Sequence, residues 1–268
     1  MVRDLARDLT GRTMRSVRLL KADVLRGTSP RRLLATLAGN RIEEVSRRAK
    51  HAVFRLASGH RMVIQPGMTG NLLVYRRRLQ PAERRYVVLE AGLGGGGTLV
   101  YRDVRRLGVV RLLDQAAWQR YTEALGPDPL SPAFDVAALA GRLKGTRQAV
   151  KKALMDQRRV AGIGNIYANE ALFRAGIDPS RPAHRLDGGA LNRLHRALRA
   201  VLEEALAAKG TTIRDYRTGT GQPGAYQFAL RVYGRGGQRC VACRTRLHTT
   251  YAVDGRSTTF CWRCQSVG

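Results

Sequence analysis

The stretch at residues 240–264, CVACRTRLHTTYAVDGRSTTFCWRC, holds all four cysteines of the chain. Cys240 and Cys243 form one CxxC pair, Cys261 and Cys264 form the second, and seventeen residues separate the pairs. Four thiolates at this spacing are typical of one tetrahedral zinc ion. Two disulfides are the alternative, which the lack of a recognisable secretion signal disfavours. Because so small a module has little apolar mass of its own, the spacing predicts a zinc ribbon with one structural Zn2+ ion.

The segment between the two cysteine pairs predicts a β-hairpin. HTTYAV alternates in polarity, Asp254-Gly255 is a dipeptide that favours hairpin turns, and STTF follows as the returning strand. Arg256 is therefore expected at the tip of a metal-stabilised hairpin, where its guanidinium can reach a phosphate group or a groove. An ordinary surface arginine without a ligand is the alternative.

A glycine turn lies upstream, in RVAGIGNIYANEALFRAGI at residues 159–177. Gly162 and Gly164 directly precede a helix that the pattern predicts to begin near Asn165. Backbone amides at a helix N-terminus bind anions, and glycine lets a phosphate approach closely. The motif therefore predicts a phosphate site, to which Lys151 of the preceding helix can add a charge. A tight turn without a ligand is the alternative.

The rest of the chain predicts two further regions. Between residues 12 and 113, AVFRLASGHRMVIQ and RYVVLEAGLGGGGTLVY each have two apolar runs around a turn, which is typical of antiparallel hairpins. Within 12–113 only SPRRLLATLAG, capped by Ser29, is expected to be helical, and a leading helix from Val2 is expected before it. Downstream of Trp118 the apolar spacing becomes that of helices.

These patterns predict an α+β, multi-domain protein. The expected parts are an N-terminal antiparallel β-sandwich with a leading helix at 1–115, a linker at 116–134, a helical domain with a glycine-rich loop at 135–235 and the zinc ribbon at 236–268.

The composition predicts a polyanionic partner. Lysine and arginine total 48 against 20 aspartates and glutamates, a net charge of +28, and arginine suits bidentate contact with phosphate. Basic runs recur along the chain: Arg76–Arg78, Arg84–Arg85, Arg105–Arg106, Lys151–Lys152 and Arg158–Arg159. A high-GC genome that uses arginine for any solvated charge would account for part of this excess, but not for the shortage of acids.

No apolar run approaches the roughly 18 residues that span a bilayer, so a cytoplasmic, nucleoid-associated location is expected.

Taken together, these motifs resemble the bacterial formamidopyrimidine-DNA glycosylase family, which also contains endonuclease VIII. The matching segments, in the family's order and over nearly the whole chain, are RRAKHAVFRL, PGMTG, DVRRLG, LMDQRRVAGIGNIYANEALFRAGIDP, VYGR and the four-cysteine finger. The resemblance implies a β-sandwich, a helix-two-turn-helix domain and a zinc ribbon, with DNA in the cleft between the two halves. It also implies removal of oxidised purines of the formamidopyrimidine and 8-oxoguanine type, followed by cleavage at the abasic site. The expected partner is double-stranded DNA containing oxidised bases or abasic sites, bound by a monomer away from any membrane.

The resemblance also assigns roles to single residues. Lys50 matches a lysine that contacts phosphate near the lesion and assists proton transfer. Lys151 and Asn165 match phosphate-binding positions, and Arg256 matches the arginine at the finger tip. The loop at 219–225 is expected to meet the lesion.

Met68, Arg105 and Leu107 match the side chains that fill the gap left by a flipped-out nucleotide, with the arginine facing the base left opposite. Taking a base out of the stack costs on the order of a few kcal/mol, which such wedges offset. The sequence departs from the family pattern here, because Leu107 replaces the usual phenylalanine and Gln65, beside Pro66, replaces the usual histidine. These departures bear on lesion preference more than on DNA binding.

The family's first residues have no counterpart in this sequence. Family members begin with proline and glutamate in a segment PELPEVE, and the secondary amine of the proline attacks the sugar C1′ to form an imine. The nucleophile is therefore expected to be missing unless the native start lies upstream of Met1, and Lys50 is a substitute amine if its pKa is depressed. A truncated relative that binds damaged DNA without cutting it is the alternative to a repair enzyme. Charge and zinc ribbon alone also fit a structural nucleic-acid protein of the ribosomal kind.

Overall fold

The computed structural model describes residues 1–213 and 216–266, which divide into two compact units. The first unit comprises 1–123 and 209–225, and the second comprises 124–208 and the described residues from 226 onward. Both units combine helices with antiparallel strands, which confirms the predicted α+β class. None of the helices in the described part of the chain is long and apolar enough to cross a membrane.

The first unit contains two four-stranded antiparallel sheets. Its helices are α1 (Val2–Leu9), α2 (Pro30–Leu37), α3 (Pro81–Arg84) and α4 (Gln115–Glu123). Its strands are β1 (Met14–Leu19), β2 (Ile42–Arg48), β3 (His51–Leu56), β4 (Arg61–Gln65), β5 (Gly70–Tyr75), β6 (Val87–Leu93), β7 (Thr98–Asp103) and β8 (Val109–Leu113). The strand orders are β1-β6-β7-β5 and β2-β3-β4-β8.

A single hydrophobic core contains side chains from both sheets, as expected for the predicted β-sandwich. Phe54 and Ile64 enter the core from one sheet, and Leu89 and Tyr101 enter it from the other. The two predicted hairpins are confirmed, since β3 pairs with β4 and β6 pairs with β7.

Local sequence signals explain the helix ends in this unit. Helix α1 buries Leu5 and Leu9, one turn apart, against the core. The Ser29 side chain accepts a hydrogen bond from Arg32 N at 3.2 Å and Pro30 occupies the first turn of α2, as predicted. Helix α3 is one turn that the sequence analysis did not predict, and a capping box with Glu83 starts it.

The second unit contains the predicted helical region and the cysteine-rich ribbon. Its elements are α5 (Val136–Lys144), α6 (Val150–Met155), α7 (Asn165–Ala175), α8 (Gly188–Ala207), β9 (His248–Thr250) and β10 (Thr258–Phe260). Asp135 and Asp187 cap α5 and α8 by accepting hydrogen bonds from backbone amides. A second core packs α7 against α8 and includes Leu172 and Leu194.

A buried carboxylate connects α7 to the segment that leads into the ribbon. Glu170 has no exposed surface and accepts hydrogen bonds from the backbone amides of three consecutive residues, Arg231, Val232 and Tyr233, at 2.8–2.9 Å. Such bonds satisfy a buried charge with peptide donors. The ribbon therefore begins at a defined position beside α7.

The described residues of 209–225 group with the first unit, whereas the sequence analysis assigned this stretch to the helical domain. The physical reason is hydrogen bonding: Gly219 N donates to Asp4 Oδ2 at 3.1 Å and Arg217 N donates to Asn71 Oδ1 at 3.0 Å. The predicted domain boundaries stay predictions, and residues 267 and 268 of the predicted ribbon lie outside the described residues.

Candidate nucleic-acid interface

Lys50 lies at the tip of the β2–β3 hairpin. Arg48 pairs with His51 across the two strands, so Ala49 and Lys50 form a two-residue turn. Ala49 has a φ of 53°, in the left-handed region that a tight turn requires. The Lys50 side chain is exposed, so the hairpin presents an amine at a defined position of the first unit.

His51, the next residue, is buried and supports this hairpin. Its Nδ1 lies 2.9 Å from the Arg48 carbonyl oxygen, which can only accept, so Nδ1 carries the proton. Nε2 then accepts a hydrogen bond from the Tyr121 hydroxyl at 2.8 Å. Burial lowers the pKa of His51 by more than its hydrogen bond to the Arg48 carbonyl raises it. The imidazole is therefore neutral and joins α4 to the base of the Lys50 turn.

Two neighbouring loops of the first unit carry the predicted wedge residues. Met68 lies between β4 and β5 and is 61% exposed, although methionine is usually buried. Leu107 lies between β7 and β8 and is 52% exposed. Arg105 of the same loop is also exposed. The structure thus brings all three residues to adjacent loops with their side chains accessible.

The carboxylate of Asp103 joins these two loops. Asp103 is 1% exposed and accepts hydrogen bonds from the Thr69 hydroxyl, from the Tyr101 hydroxyl at 3.2 Å and from Gly108 N at 2.8 Å. Thr69 Oγ1 in turn accepts a hydrogen bond from Arg105 N at 3.0 Å. Burial together with the neighbouring Asp103 raises the pKa of Tyr101, so its hydroxyl remains a donor. A buried hydrogen-bond network whose polar groups have partners holds the attached loops in one position.

Two glycines allow the loops to approach each other. Gly67 has a φ of 66°, and a Cβ there would lie 3.1 Å from Gly108 N and from the Leu107 carbonyl carbon. At Gly108 a Cβ would lie 1.9 Å from the Tyr101 hydroxyl oxygen. A larger residue at either position would push the loops apart.

In the second unit, the predicted turn before α7 is confirmed. Gly162 has a φ of 99° and donates from its backbone N to Gln157 Oε1 at 2.8 Å, while Gln157 Nε2 donates to Ile163 O at 2.9 Å. Gly164, at the N-cap of α7, has no side chain that could cap the helix. The N-terminus of α7 therefore has the partial positive charge that favours an anion.

Asn165 and Arg256 approach the same region of the second unit. Asn165 Nδ2 donates to the Ser257 carbonyl at 3.1 Å, which holds the β9–β10 loop against the start of α7. Asn169, one turn along, accepts a hydrogen bond from Thr259 N at 2.8 Å. Arg256 is adjacent to Ser257 in sequence and its side chain is exposed. Asn165 is thus half-buried and bonded to the loop, whereas the Arg256 guanidinium is exposed, and a phosphate contact by either residue stays a prediction.

Lys151 differs from what the sequence predicted. It was expected to contact phosphate, but its side chain has no exposed surface. Its ammonium lies 2.8 Å from Thr258 Oγ1, 3.1 Å from Asp254 Oδ1 and 3.3 Å from the Ser257 carbonyl. Burial lowers the pKa of Lys151, while Asp254 raises it. All three ammonium protons are thus directed at acceptors within the protein, and the side chain is not accessible to a phosphate.

The four cysteines form one cluster, in which all four Sγ atoms lie within 4.8 Å of one another. Cys243 Sγ lies 3.4 Å from Cys261 Sγ, and Cys240 Sγ lies 3.9 Å from Cys264 Sγ. A tetrahedral site with Zn–S bonds of about 2.3 Å would place sulfur atoms about 3.8 Å apart. Hydrogen bonding to Thr245 lowers the pKa of Cys243 to about 6, whereas burial raises the pKa values of Cys261 and Cys264. The donor set and spacing fit a tetrahedral thiolate metal site.

Matches to known families cover most of the chain. Residues 1–110 match the model of the formamidopyrimidine-DNA glycosylase N-terminal domain, and residues 125–217 match that of the formamidopyrimidine-DNA glycosylase H2TH domain. The formamidopyrimidine-DNA glycosylase of Thermomicrobium roseum is 43% identical over 84% of this chain and 82% of its own length. That of Chloroflexus aurantiacus is 39% identical over 99% of this chain and 94% of its own length. The chain belongs to the formamidopyrimidine-DNA glycosylase family.

Solved structures of formamidopyrimidine-DNA glycosylases have the same fold. The Lactococcus lactis enzyme, Fpg, in complex with DNA containing an abasic site superposes with a TM-score of 0.91 at 28% identity, covering 99% of this chain and 97% of the other. Fpg from the same organism in complex with DNA containing Fapy-dG superposes with a TM-score of 0.90 at 27% identity and the same coverage. These matches confirm the predicted combination of antiparallel sheets, a helix-two-turn-helix domain and a cysteine ribbon.

Sequence reasoning missed three residues of this glycosylase-family chain that organise the candidate interface. Asp103 lies in the quoted motif DVRRLG, but nothing local shows that its carboxylate is buried. His51 follows Lys50, yet its partner Tyr121 is 70 residues away. Asp254 was assigned only to a turn, although its side chain is 3% exposed and paired with Lys151. Each role depends on partners that are distant in the sequence.

Proposed function

We propose that the protein is a base-excision repair glycosylase that removes oxidised purines from double-stranded DNA and cleaves at the resulting abasic site. The observation that carries this proposal is the exposure of Met68, Arg105 and Leu107 on two loops that one buried carboxylate joins. A single exposed apolar residue is common on protein surfaces, but Met68 and Leu107 are two large apolar side chains on loops that touch each other. They are suited to fill the space of a flipped-out nucleotide, which offsets the cost of unstacking.

Both units supply contacts to the DNA backbone in this proposal. Lys50 binds phosphate from the first unit, and Asn165, Arg256 and the N-terminus of α7 bind phosphate from the second. A net charge of +28 favours association with DNA generally, and each phosphate contact makes affinity fall as salt rises. Salt dependence therefore supports DNA binding but does not identify damage recognition.

The chemical step requires an amine that attacks C1′ of the damaged nucleotide. The attack forms the N–C1′ bond and breaks the glycosidic bond, and the base leaves with a proton. Opening of the sugar ring then breaks the C1′–O4′ bond, O4′ takes up a proton, and the imine forms. Removal of a proton from C2′ finally expels the 3′ phosphate by elimination. The family assigns this amine to an N-terminal proline, which is not among the 268 residues of the chain. The exposed amine of Lys50 is the substitute that the proposal names within this sequence.

Borohydride trapping on duplex DNA with an abasic site tests this step, because borohydride reduces the imine to a stable amine. We expect no adduct, or a slow one that disappears in Lys50→Met, for the 268-residue chain. The same chain preceded by PELPEVE, with its proline at the N-terminus, should form an adduct rapidly and excise oxidised purines. Failure of the extended chain to form an adduct would refute the glycosylase proposal.

A second candidate function is recognition of damaged DNA without cleavage. Leu107 at the position of the family's phenylalanine and Gln65 at that of its histidine favour it, because an aliphatic wedge stacks less well on a base. Preferential binding to abasic over intact duplex by both the 268-residue chain and the extended chain, with no adduct from either, would support this function. Equal affinity for intact and damaged duplex would exclude both candidates.

The proposal includes one structural Zn2+ ion bound by the four-cysteine cluster. The ion would supply a tetrahedral cross-link between the two CxxC turns, and the residues of the β9–β10 loop would keep their position relative to α7. Its measured stoichiometry should be one per chain, and a metal content near zero in active protein would refute this assignment.

A further inference from the structure

We propose that Lys151 and Asp254 form a buried ion pair that positions Arg256 for phosphate, so that Lys151 acts on DNA binding without touching DNA. This inference rests on the proposed function, because it concerns the phosphate contacts of that site. The inference follows from the burial of Lys151, a residue that the family resemblance matches to a phosphate-binding position.

The ammonium of Lys151 contacts the β9–β10 loop and the start of β10 at three points. It reaches the Asp254 carboxylate, the Ser257 carbonyl and the Thr258 hydroxyl at 2.8–3.3 Å. Arg256 lies between these contacts in sequence, so its backbone is held from both sides. Because α6 supplies the ammonium, the loop is attached to the helical core rather than only to the ribbon.

The Lys151 ammonium is the cation that compensates the negative charge of Asp254. The Asp254 side chain is 3% exposed, and its Oδ1 accepts both the Lys151 ammonium and the backbone amide of Arg256, each at 3.1 Å. Its Oδ2 is buried without a hydrogen-bond partner among the described residues. A buried carboxylate that loses its cation is costly, so it recruits the nearest alternative positive group.

The guanidinium of Arg256 is one such group. Its charge already acts on Lys151, and its own backbone amide binds the same carboxylate. Without Lys151, Asp254 would attract this guanidinium and would also repel an approaching phosphate. The pair therefore performs two tasks: it neutralises an acidic residue beside the phosphate site, and it leaves Arg256 available to DNA.

A double-mutant cycle on Lys151 and Arg256 tests the proposal. The probe is a duplex with a stable tetrahydrofuran abasic site, and the readouts are affinity and its dependence on salt. Arg256→Ala should weaken binding about 10-fold and reduce the magnitude of the salt slope by about 0.9, as expected for one lost phosphate contact. Lys151→Met should do the same, and the double variant should be no weaker than Arg256→Ala.

Two further variants separate positioning from direct contact and from folding. Lys152→Met removes the same charge from the exposed neighbouring position and should change affinity less than about 2-fold. Lys151→Met with Asp254→Asn removes both charges but keeps an acceptor for Arg256 N, and should restore affinity to within about 3-fold of the parent. Zinc content and cooperative melting verify the fold, and Lys151→Gln replaces Lys151→Met if the latter does not fold.

Additive losses from Lys151 and Arg256 would show that Lys151 binds phosphate itself and would overturn the inference. So would an unchanged affinity in Lys151→Met, or a failure of Asp254→Asn to restore binding, which would indicate packing alone. An unchanged affinity in Arg256→Ala would instead refute the phosphate role of the finger tip in the proposed function, and the inference with it.

Discussion

Replacing Asp103 with alanine should both destabilise the protein and abolish its preference for damaged DNA. The carboxylate accepts hydrogen bonds from Thr69, Tyr101 and Gly108 in a site that is 1% exposed. Hydrogen bonds to charged groups contribute roughly 1.5–3 kcal/mol each, and buried donors left without partners cost a similar amount. Such contributions are not additive within one network, so we expect a loss of about 3–5 kcal/mol in the free energy of unfolding.

Urea denaturation measures this loss, and Tyr101→Phe is the matched control. That variant removes one of the three donors and keeps the carboxylate, so its loss should be about 0.5–1.5 kcal/mol. The binding readout is the affinity ratio between abasic and intact duplex. It should fall towards one in Asp103→Ala, because Thr69 then no longer holds the backbone of Arg105.

Two results would refute this reasoning. If Asp103→Ala destabilises the protein no more than Tyr101→Phe, the carboxylate contributes little to the stability of the hydrogen-bond network. If stability falls as expected while the preference for damaged DNA persists, other contacts hold the Met68 and Leu107 loops in place.

Three further predictions concern the wedge, the metal and the buried histidine. Met68→Ala should weaken binding to abasic duplex about 10-fold and leave binding to intact duplex nearly unchanged in a titration; equal losses on both would identify a packing role. Removing zinc with a chelator should abolish duplex binding and loosen the ribbon, as measured by binding and proteolysis, and retained binding would contradict the structural role of the metal. Because burial lowers the pKa of His51 below 6.5, the unfolded chain binds a proton that the folded chain does not. Stability should therefore be lost as the pH falls below about 6.5, and urea midpoints at pH 7.5 and 5.5 should differ less in His51→Gln than in the parent.

The sequence by itself determined those elements that form because of interactions between residues close together in the chain. The CxxC spacing predicted the cysteine cluster, Ser29 and Pro30 predicted the start of α2, and the turn at Gly162 and Gly164 predicted the start of α7. Each of these signals acts within a few residues, through backbone geometry, capping or ligand spacing. The family motifs likewise identified the loops that carry the wedge residues.

Only the tertiary structure decided which charges are available to DNA. Lys151 is one basic residue in a run of two, and the sequence cannot distinguish it from Lys152, yet one is buried and the other exposed. Its partner Asp254 lies 103 residues away, and Asp103 likewise collects donors from separate segments. Burial and pairing depend on how distant elements pack, and this packing decides whether a charged side chain is exposed to solvent or paired inside the protein.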